Sequence, residues 1–364
     1  MPPVCRSSSS MCLVPAQDCA LQWLPERKNQ DQKGRFQMKL LVLANENRVA
    51  RFLPDLPVAK NAEVVILPID TPEDEVIRKG QGADAFLVDA ISPCTRREME
   101  EIGTLKLIQS EGVAYNRIDV KAAAEFKIPV CNQKGANAVA VAEETVMLML
   151  CLLRSVVPGY RAVLSGHQIE QKDRLMAQGI RELSEVRVGL VGFGAIGKET
   201  ARLLVPFGPE VVYWQRHRAD SAVEEDLHAS YTDLDTLLAT SDIVSLHVPV
   251  TPDTTLMCDA SFFEKMKGGV LFINTARGEL VDNMALRSAI LSGKVALAGI
   301  DTLAPEPVQK DNPLLTLPED VQDRVLVTPH EGGITTGFFK RAHRTLWENI
   351  ELVLAGKEPR NKVN

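Results

Sequence analysis

The ten residues Val188-Gly189-Leu190-Val191-Gly192-Phe193-Gly194-Ala195-Ile196-Gly197 constrain this chain more than any other stretch. An apolar run enters glycines spaced GxGxxG, and a helix-forming segment follows. In that setting Gly192 permits a tight strand-to-helix turn, Gly194 lets a ligand approach the backbone, and Gly197 lets helix and strand pack closely. The helix start offers unpaired N–H groups and the positive end of its dipole, which suits a pyrophosphate. The same spacing also occurs in plain glycine turns. Here a strand precedes it, a helix follows, and a second strand at 210–214 ends at the expected distance, which favours a dinucleotide site.

Alternating apolar runs and helical patterns extend this β-α-β reading over most of the chain. Strands are expected at 39–44, 64–67, 85–88, 107–109 and 130–132, with helices such as 71–80 and 119–126 between them. A helix over 137–154 is apolar nearly all round, so it is buried on most sides; it can join two domains and pack on a partner subunit. Residues 155–184 read as a polar, irregular excursion. A second series then begins, with strands at 186–191, 210–214, 243–247, 270–274, 296–300 and 325–328. Helices fit 197–207, 234–239, 260–266 and 284–292, the last closed by Gly293, and a final helix fits 337–355. The expectation is an α/β chain with two doubly wound parallel sheets, Rossmann-like or flavodoxin-like, and a cleft between domains.

A length of 364 residues suffices for two cores. The net charge of −7 gives no basic surplus for a phosphate backbone, which argues against a nucleic-acid ligand. No apolar run reaches the roughly 18 residues of a membrane helix. The seven cysteines form no CxxC pair, and the spacing of Cys5, Cys12 and Cys19 fits no common zinc motif. Unpaired thiols in a reducing cytoplasm are the expectation, and no metal is expected. Residues 1–37, with their Ser7–Ser10 run, read as a disordered extension or an upstream start, with an organellar transit segment as the alternative.

The end of the second strand of the nucleotide unit bears on the dinucleotide. A carboxylate there bonds the ribose 2′-hydroxyl of NAD. This chain has Gln215 at that place, eighteen residues after Gly197, followed by Arg216, His217 and Arg218. A neutral amide flanked by guanidinium groups suits a 2′-phosphate, so NADP(H) is favoured and NAD(H) remains possible. The alternative is an ordinary solvated basic loop.

Three further segments sit at or just past strand ends: Asn274-Thr275-Ala276-Arg277-Gly278, Asp301 through Glu306-Pro307, and Thr328-Pro329-His330-Glu331-Gly332-Gly333. They supply a fixed cation, a carboxylate and an imidazole. Reduction of a 2-keto acid needs a bidentate cation for the carboxylate and carbonyl, for which Arg277 is suited. It needs a proton donor near neutral pH, His330, and a carboxylate to hold that imidazole, Glu306. Each residue alone has a bland reading as a surface cation, a structural histidine or a loop acid. Their succession after a nucleotide motif favours catalysis.

From Met38 onward the chain resembles the D-isomer-specific 2-hydroxyacid dehydrogenases, in the glyoxylate/hydroxypyruvate reductase manner. The resemblance is carried by Gln109-Ser110-Glu111-Gly112-Val113-Ala114-Tyr115-Asn116-Arg117-Ile118-Asp119, by Asn137 to Glu143, by Ser245-Leu246-His247-Val248-Pro249, and by the segments of Arg277, Glu306 and His330. It implies a substrate domain of residues 38–136 and 334–364, a dinucleotide domain of 137–333, a cleft between them and a homodimer through the 137–154 region. Gly112, Val113 and Ala114 would hold the substrate carboxylate with main-chain groups. Val113, Val248, Pro249, Thr275, Ala276, Gly332 and Gly333 would line the cofactor, Ala195 and Ile196 would lie under its pyrophosphate, and Asp301 would bind its carboxamide. Asn116 and Ala114 depart from the usual Asp and Gly of that loop, and Glu331 stands where an apolar residue is usual. Glu331 is expected either to favour a protonated His330 or to disfavour a second anionic group on the substrate; His247 is expected to be framework.

Two other readings stay open. D-3-phosphoglycerate dehydrogenation is weakened by the short stretch after the last helix and by the lack of an obvious phosphate-binding cluster in the first lobe. A dinucleotide-sensing, non-enzymatic scaffold shares the fold class, and fold alone does not decide function.

Overall fold

Short runs rich in Val, Ile and Leu become parallel strands whose successive side chains enter opposite cores. The computed structural model describes residues 38–364, and the expectations for residues 1–37 and for Cys5, Cys12 and Cys19 lie outside them. The chain divides into two compact units, one of residues up to Lys134 with Lys340–Asn364, the other Gly135–Phe339.

The first unit holds β1 (Met38–Leu43), β2 (Ala62–Leu67), β3 (Ala85–Val88), β4 (Leu107–Ser110) and β5 (Val130–Cys131). All pairings are parallel and the order is β2-β1-β3-β4-β5, the flavodoxin-like arrangement. Leu41 and Leu43 of β1 join one core with Phe86, Val88 and Ile108. Met38, Leu40 and Val42 face the other, where Leu346, Trp347 and Ile350 cover them. These last three lie on one stripe of the helix Thr336–Leu354, so the C-terminal helix closes this face. Each fully buried Leu or Ile contributes about 1.5–3 kcal/mol.

The second unit holds β6 (Arg187–Val191), β7 (Glu210–Trp214), β8 (Ala229–Tyr231), β9 (Ile243–Leu246), β10 (Val270–Asn274), β11 (Val295–Ile300) and β12 (Val325–Val327). Its order is β12-β11-β10-β9-β6-β7-β8, again all parallel: a Rossmann sheet with one added edge strand. Val270 and Phe272 point into one core, Leu271 and Ile273 into the other. The helix Ala138–Leu153 supplies Val146, Leu148, Met149 and Leu152 to the second of these. Strand order reverses between β1 and β3 in one sheet and between β6 and β9 in the other. In open parallel sheets the ligand crevice lies at such a point, beyond the carboxyl ends of the strands.

The excursion at 155–184 differs from its expectation. It forms two helices, Val156–Leu164 and Gln168–Gln178, with no residue of either buried. Pro158 and Gly159, both unfavourable in helices, interrupt the first, and the second carries few apolar residues, so neither shows a clear helical stripe. Among the described residues no helix is long and apolar enough to cross a membrane.

Candidate active site

The β6–β9 reversal carries the glycine motif. Gly192 has φ +104°, and a Cβ there would stand 2.6 Å from the His247 carbonyl oxygen. A Cβ on Gly197 would stand 2.3 Å from the Gly192 carbonyl oxygen, so the helix Ala195–Leu204 reaches its place only without one. A Cβ on Gly194 meets nothing within 4 Å, which leaves open space above the helix start for a phosphate group. Ala195 is exposed and Ile196 half-buried beside that space. Val248 packs toward Gly192, and the Pro249 carbonyl accepts from Thr254 Oγ1 at 2.7 Å. His247 donates or accepts at Ser245 Oγ, 3.0 Å, and burial presses its imidazole down to about 3. It is therefore a neutral framework group, as its place in the motif suggests.

Gln215 follows β7 half-buried, and Arg216, His217 and Arg218 are exposed. The two arginines differ in their engagements. Arg218 makes a paired contact with Glu224, Nε at 2.9 Å and Nη2 at 2.7 Å, while Tyr213 donates to the same carboxylate at 2.6 Å. Hydrogen bonds from Arg218 and then Tyr213 hold Glu224 down at about 2. Among the described residues Arg216 reaches Asp253, at 3.5 Å between two exposed side chains. A cavity of about 360 Å³ opens beside it, with Trp214, Leu234, Thr254 and Met257 in its wall.

Three neighbouring strand ends, those of β10, β11 and β12, lead to Arg277, Glu306 and His330. Asn274 turns the first: its Oδ1 accepts from the Ala276 N–H at 3.0 Å and its Nδ2 donates to the Arg277 carbonyl at 2.9 Å. Arg277 Nη1 donates to the Ala276 carbonyl at 2.7 Å. Thr275 Oγ1 meets Thr145 Oγ1 at 2.8 Å, fixing this turn to the long helix. A Cβ on Gly278 would stand 2.3 Å from the Ala304 nitrogen, so the arginine turn lies directly on the segment that leads to Glu306.

Asp301, nearly fully buried, organises the third segment. Its Oδ1 accepts from Thr328 Oγ1 at 2.6 Å and from the Glu331 N–H at 2.9 Å; its Oδ2 accepts from the Gly332 N–H at 3.0 Å. A carboxylate has about four acceptor positions, so one remains on Oδ2. Gly332 is buried and Gly333 half-buried. His330 adopts φ +59°, an uncommon conformation for a residue with a Cβ. Its Nδ1 lies 2.8 and 3.0 Å from the two oxygens of Glu306. The carboxylate thus fixes the ring and leaves Nε2 outward. The Glu331 carboxylate is exposed and only its N–H enters the network.

In the first unit the loop after β4 has its carbonyls engaged. Gly112 O accepts from the Gln133 N–H at 2.9 Å, Val113 O from Asn132 Nδ2 at 2.8 Å, and Ala114 O from Ser110 Oγ at 2.6 Å. Among the described residues nothing accepts from the N–H groups of Val113 and Ala114. Two such donors suit a carboxylate. Asn116, in the place where an Asp is usual, is exposed.

Sequence reasoning gave no role to the group below this loop. Arg48 pairs with Asp89 and Glu111, and the Glu111 Oε1 also meets His343 Nε2 at 2.9 Å. Glu144 was likewise passed over. Burial, with Asp301 nearby, raises its carboxyl above the usual range, and its Cγ would lie 3.1 Å from a Cβ on Gly332. An acid inside an otherwise apolar helix was the available signal.

Residues 146–332 match the family described as D-isomer specific 2-hydroxyacid dehydrogenase, NAD binding domain. The chain is 33% identical over 305 residues to D-3-phosphoglycerate dehydrogenase of Archaeoglobus fulgidus, covering 84% of this chain and 56% of that protein. It is 35% identical over 280 residues to hydroxypyruvate reductase of Thermotoga maritima, covering 76% of this chain and 87% of that protein. The chain therefore matches only about half the length of the D-3-phosphoglycerate dehydrogenases it resembles. Among solved structures, the NAD complexed form of a D-isomer specific 2-hydroxyacid dehydrogenase from Lactobacillus delbrueckii ssp. bulgaricus aligns with TM-score 0.75 and 27% identity, over 90% of this chain and all of that one. Two parallel-sheet units, the open glycine cradle and these likenesses together make the chain a member of the D-isomer specific 2-hydroxyacid dehydrogenase family.

Proposed function

We propose that the protein interconverts a small D-2-hydroxy acid and its 2-keto acid, acting as an NADPH-preferring reductase of the glyoxylate or hydroxypyruvate type. The observation that carries this reading is the His330–Glu306 pair on the same sheet edge as Arg277 and the glycine cradle. A bound nicotinamide supplies the hydride for C2 of the keto acid. Arg277 binds the carboxylate and polarises the carbonyl, and His330 Nε2 gives its proton to the carbonyl oxygen as negative charge develops there. Glu306 holds the imidazole in orientation. In the first unit, the Val113 and Ala114 N–H groups bind the substrate carboxylate. That unit is the substrate-binding domain in this reading, and the second is the dinucleotide domain.

The preference for NADP(H) rests on Gln215 and Arg216. Arg218 is committed to Glu224, so Arg216 is the guanidinium that supports 2′-phosphate binding. The cysteines among the described residues are free thiols, the state a reducing cytoplasm maintains. We also assign a homodimer. Its contact face is the 137–154 region, where Val139 and Met147 of the helix Ala138–Leu153 are 37 and 40% exposed, extended by the two helices that follow, where Tyr160, Leu164, Ile169 and Met176 are 65, 70, 61 and 71% exposed.

Initial rates with glyoxylate, hydroxypyruvate, pyruvate and longer 2-keto acids, with NADPH and NADH in parallel, test the activity. Turnover with a small keto acid and a preference for NADPH is expected. No turnover despite dinucleotide binding would replace the enzyme by a dinucleotide-sensing scaffold, and a preference for NADH would remove the role given to Arg216. Sedimentation of the same preparation should give twice the 40.0 kDa chain mass; a monomer would remove the dimer.

A further inference from the structure

The reversal point of the first sheet lies between β1 and β3, and the residues just past those two strands are charged. Arg48 follows β1 and Asp89 follows β3, and the guanidinium Nη2 donates to the Asp89 carboxylate. The same guanidinium turns to the end of β4, where Nε donates to Glu111 Oε1 at 3.1 Å and Nη2 donates to Oε2. From the C-terminal helix, His343 Nε2 meets Glu111 Oε1 at 2.9 Å. Glu111 and His343 have side chains only 3% and 2% exposed, while Asp89 and Arg48 keep 15% and 26%. Burial pushes the Glu111 carboxyl up, but the hydrogen bond with His343 and the charge of Arg48 outweigh it, and the group stays below the usual carboxylate range.

Glu111 directly precedes Gly112, and its N–H donates to the Val88 carbonyl at 2.8 Å, one residue before Asp89. The cluster therefore adjoins the two N–H groups of Val113 and Ala114 that suit a carboxylate. Its charges decide what else is tolerated there. One guanidinium faces two carboxylates, and Arg48 is committed to both acids. A substrate whose far end carries a phosphate or second carboxylate brings further negative charge toward these two part-buried acids, and like charges repel.

We propose that Asp89, with Glu111 and Arg48, is a specificity determinant that restricts the enzyme to 2-keto acids with a single negative charge. The restriction rests on the 2-keto acid reading above and deepens it. It separates the two activities named among the relatives: an uncharged hydroxymethyl end is accepted and a phosphorylated one is refused.

The test compares two substrates of one carbon skeleton, hydroxypyruvate and its 3-phosphate, with NADPH in the parent and in Asp89→Asn. The parent should favour hydroxypyruvate in kcat/KM by at least about tenfold, and Asp89→Asn should move that ratio by about tenfold toward the phosphorylated substrate. A loss of folding or loop order lowers both rates together, so the ratio reads charge rather than structural damage. Should the variant fail to fold, the parent decides alone: equal use of both substrates overturns the proposal. An unchanged ratio in a folded Asp89→Asn also overturns it. If the parent reduces neither compound but reduces another, doubly charged keto acid, this restriction falls while the 2-keto acid reading stands. If it reduces no keto acid at all, both fall.

Discussion

Arg277 owes its direction to its neighbours. Asn274 caps the turn from both sides, Thr145 fixes Thr275, and Gly278 lets the turn rest on the segment before Glu306. A group held this way is positioned before a substrate arrives, which is how electrostatic catalysis gains its size. Replacing Arg277 by Ala should lower kcat by roughly 10²–10³, the scale of losing one oriented donor, while dinucleotide affinity stays near the parent value. Steady-state kinetics beside a dinucleotide titration checks this, and retention of kcat would remove Arg277 from the chemistry. Residues of this kind were readable in the sequence because each sits at a fixed offset from a strand end. Arg48, Asp89, Glu111 and His343 were not. They come from four distant segments and meet only because of strand order and the return of the last helix, which no local pattern records.

At the scale of elements, the strands that were read most accurately are those buried on both sides. The expected 85–88, 210–214 and 270–274 coincide with β3, β7 and β10. Edge strand β8, with only Ala229 buried, lacks the apolar run that announces a strand and was missed. The amino ends of the second sheet are tied by Asp242, just before β9. Its carboxylate accepts from the Arg187 N–H at 2.8 Å, Arg181 Nη1 at 2.8 Å and Lys267 Nζ at 2.6 Å. Burial pushes this carboxyl up, but Lys267, the Arg187 N–H and Arg181 outweigh it and hold it at about 2, below its usual 3.8. A carboxyl depressed on folding stabilises the protein above the unfolded value and loses that contribution as pH falls toward the folded one. The contribution is therefore complete above about pH 4 and fades toward pH 2, and with solvent screening it amounts to about 1 kcal/mol. Asp242→Asn should lower the thermal midpoint at pH 7 by roughly 2–4 °C. Its deficit relative to the parent should shrink below about pH 4, and scanning calorimetry across that range checks both. Equal midpoints at pH 7 would show that the ion cluster adds no stability.

For the whole molecule, two doubly wound sheets were readable because alternation recurs on both sides of an unusually apolar helix. Strand order was not readable for the first unit, since β2-β1-β3-β4-β5 depends on which edges meet. Each unit presents a ligand-type feature past the carboxyl ends of its strands: open space over Gly194 in one, and, after β4 in the other, the N–H groups of Val113 and Ala114, which have no acceptor among the described residues. The proposed reaction is one event, a hydride moving to C2 of a keto acid while His330 supplies a proton. Isotope tracing observes that event itself. NADPH deuterated at C4 of the nicotinamide, on whichever face the enzyme uses, is given with a prochiral small 2-keto acid, and the product is analysed for label and configuration. Deuterium at C2 of the D-2-hydroxy acid is expected; a product of L configuration, or one without label from either face, would overturn the proposed hydride transfer.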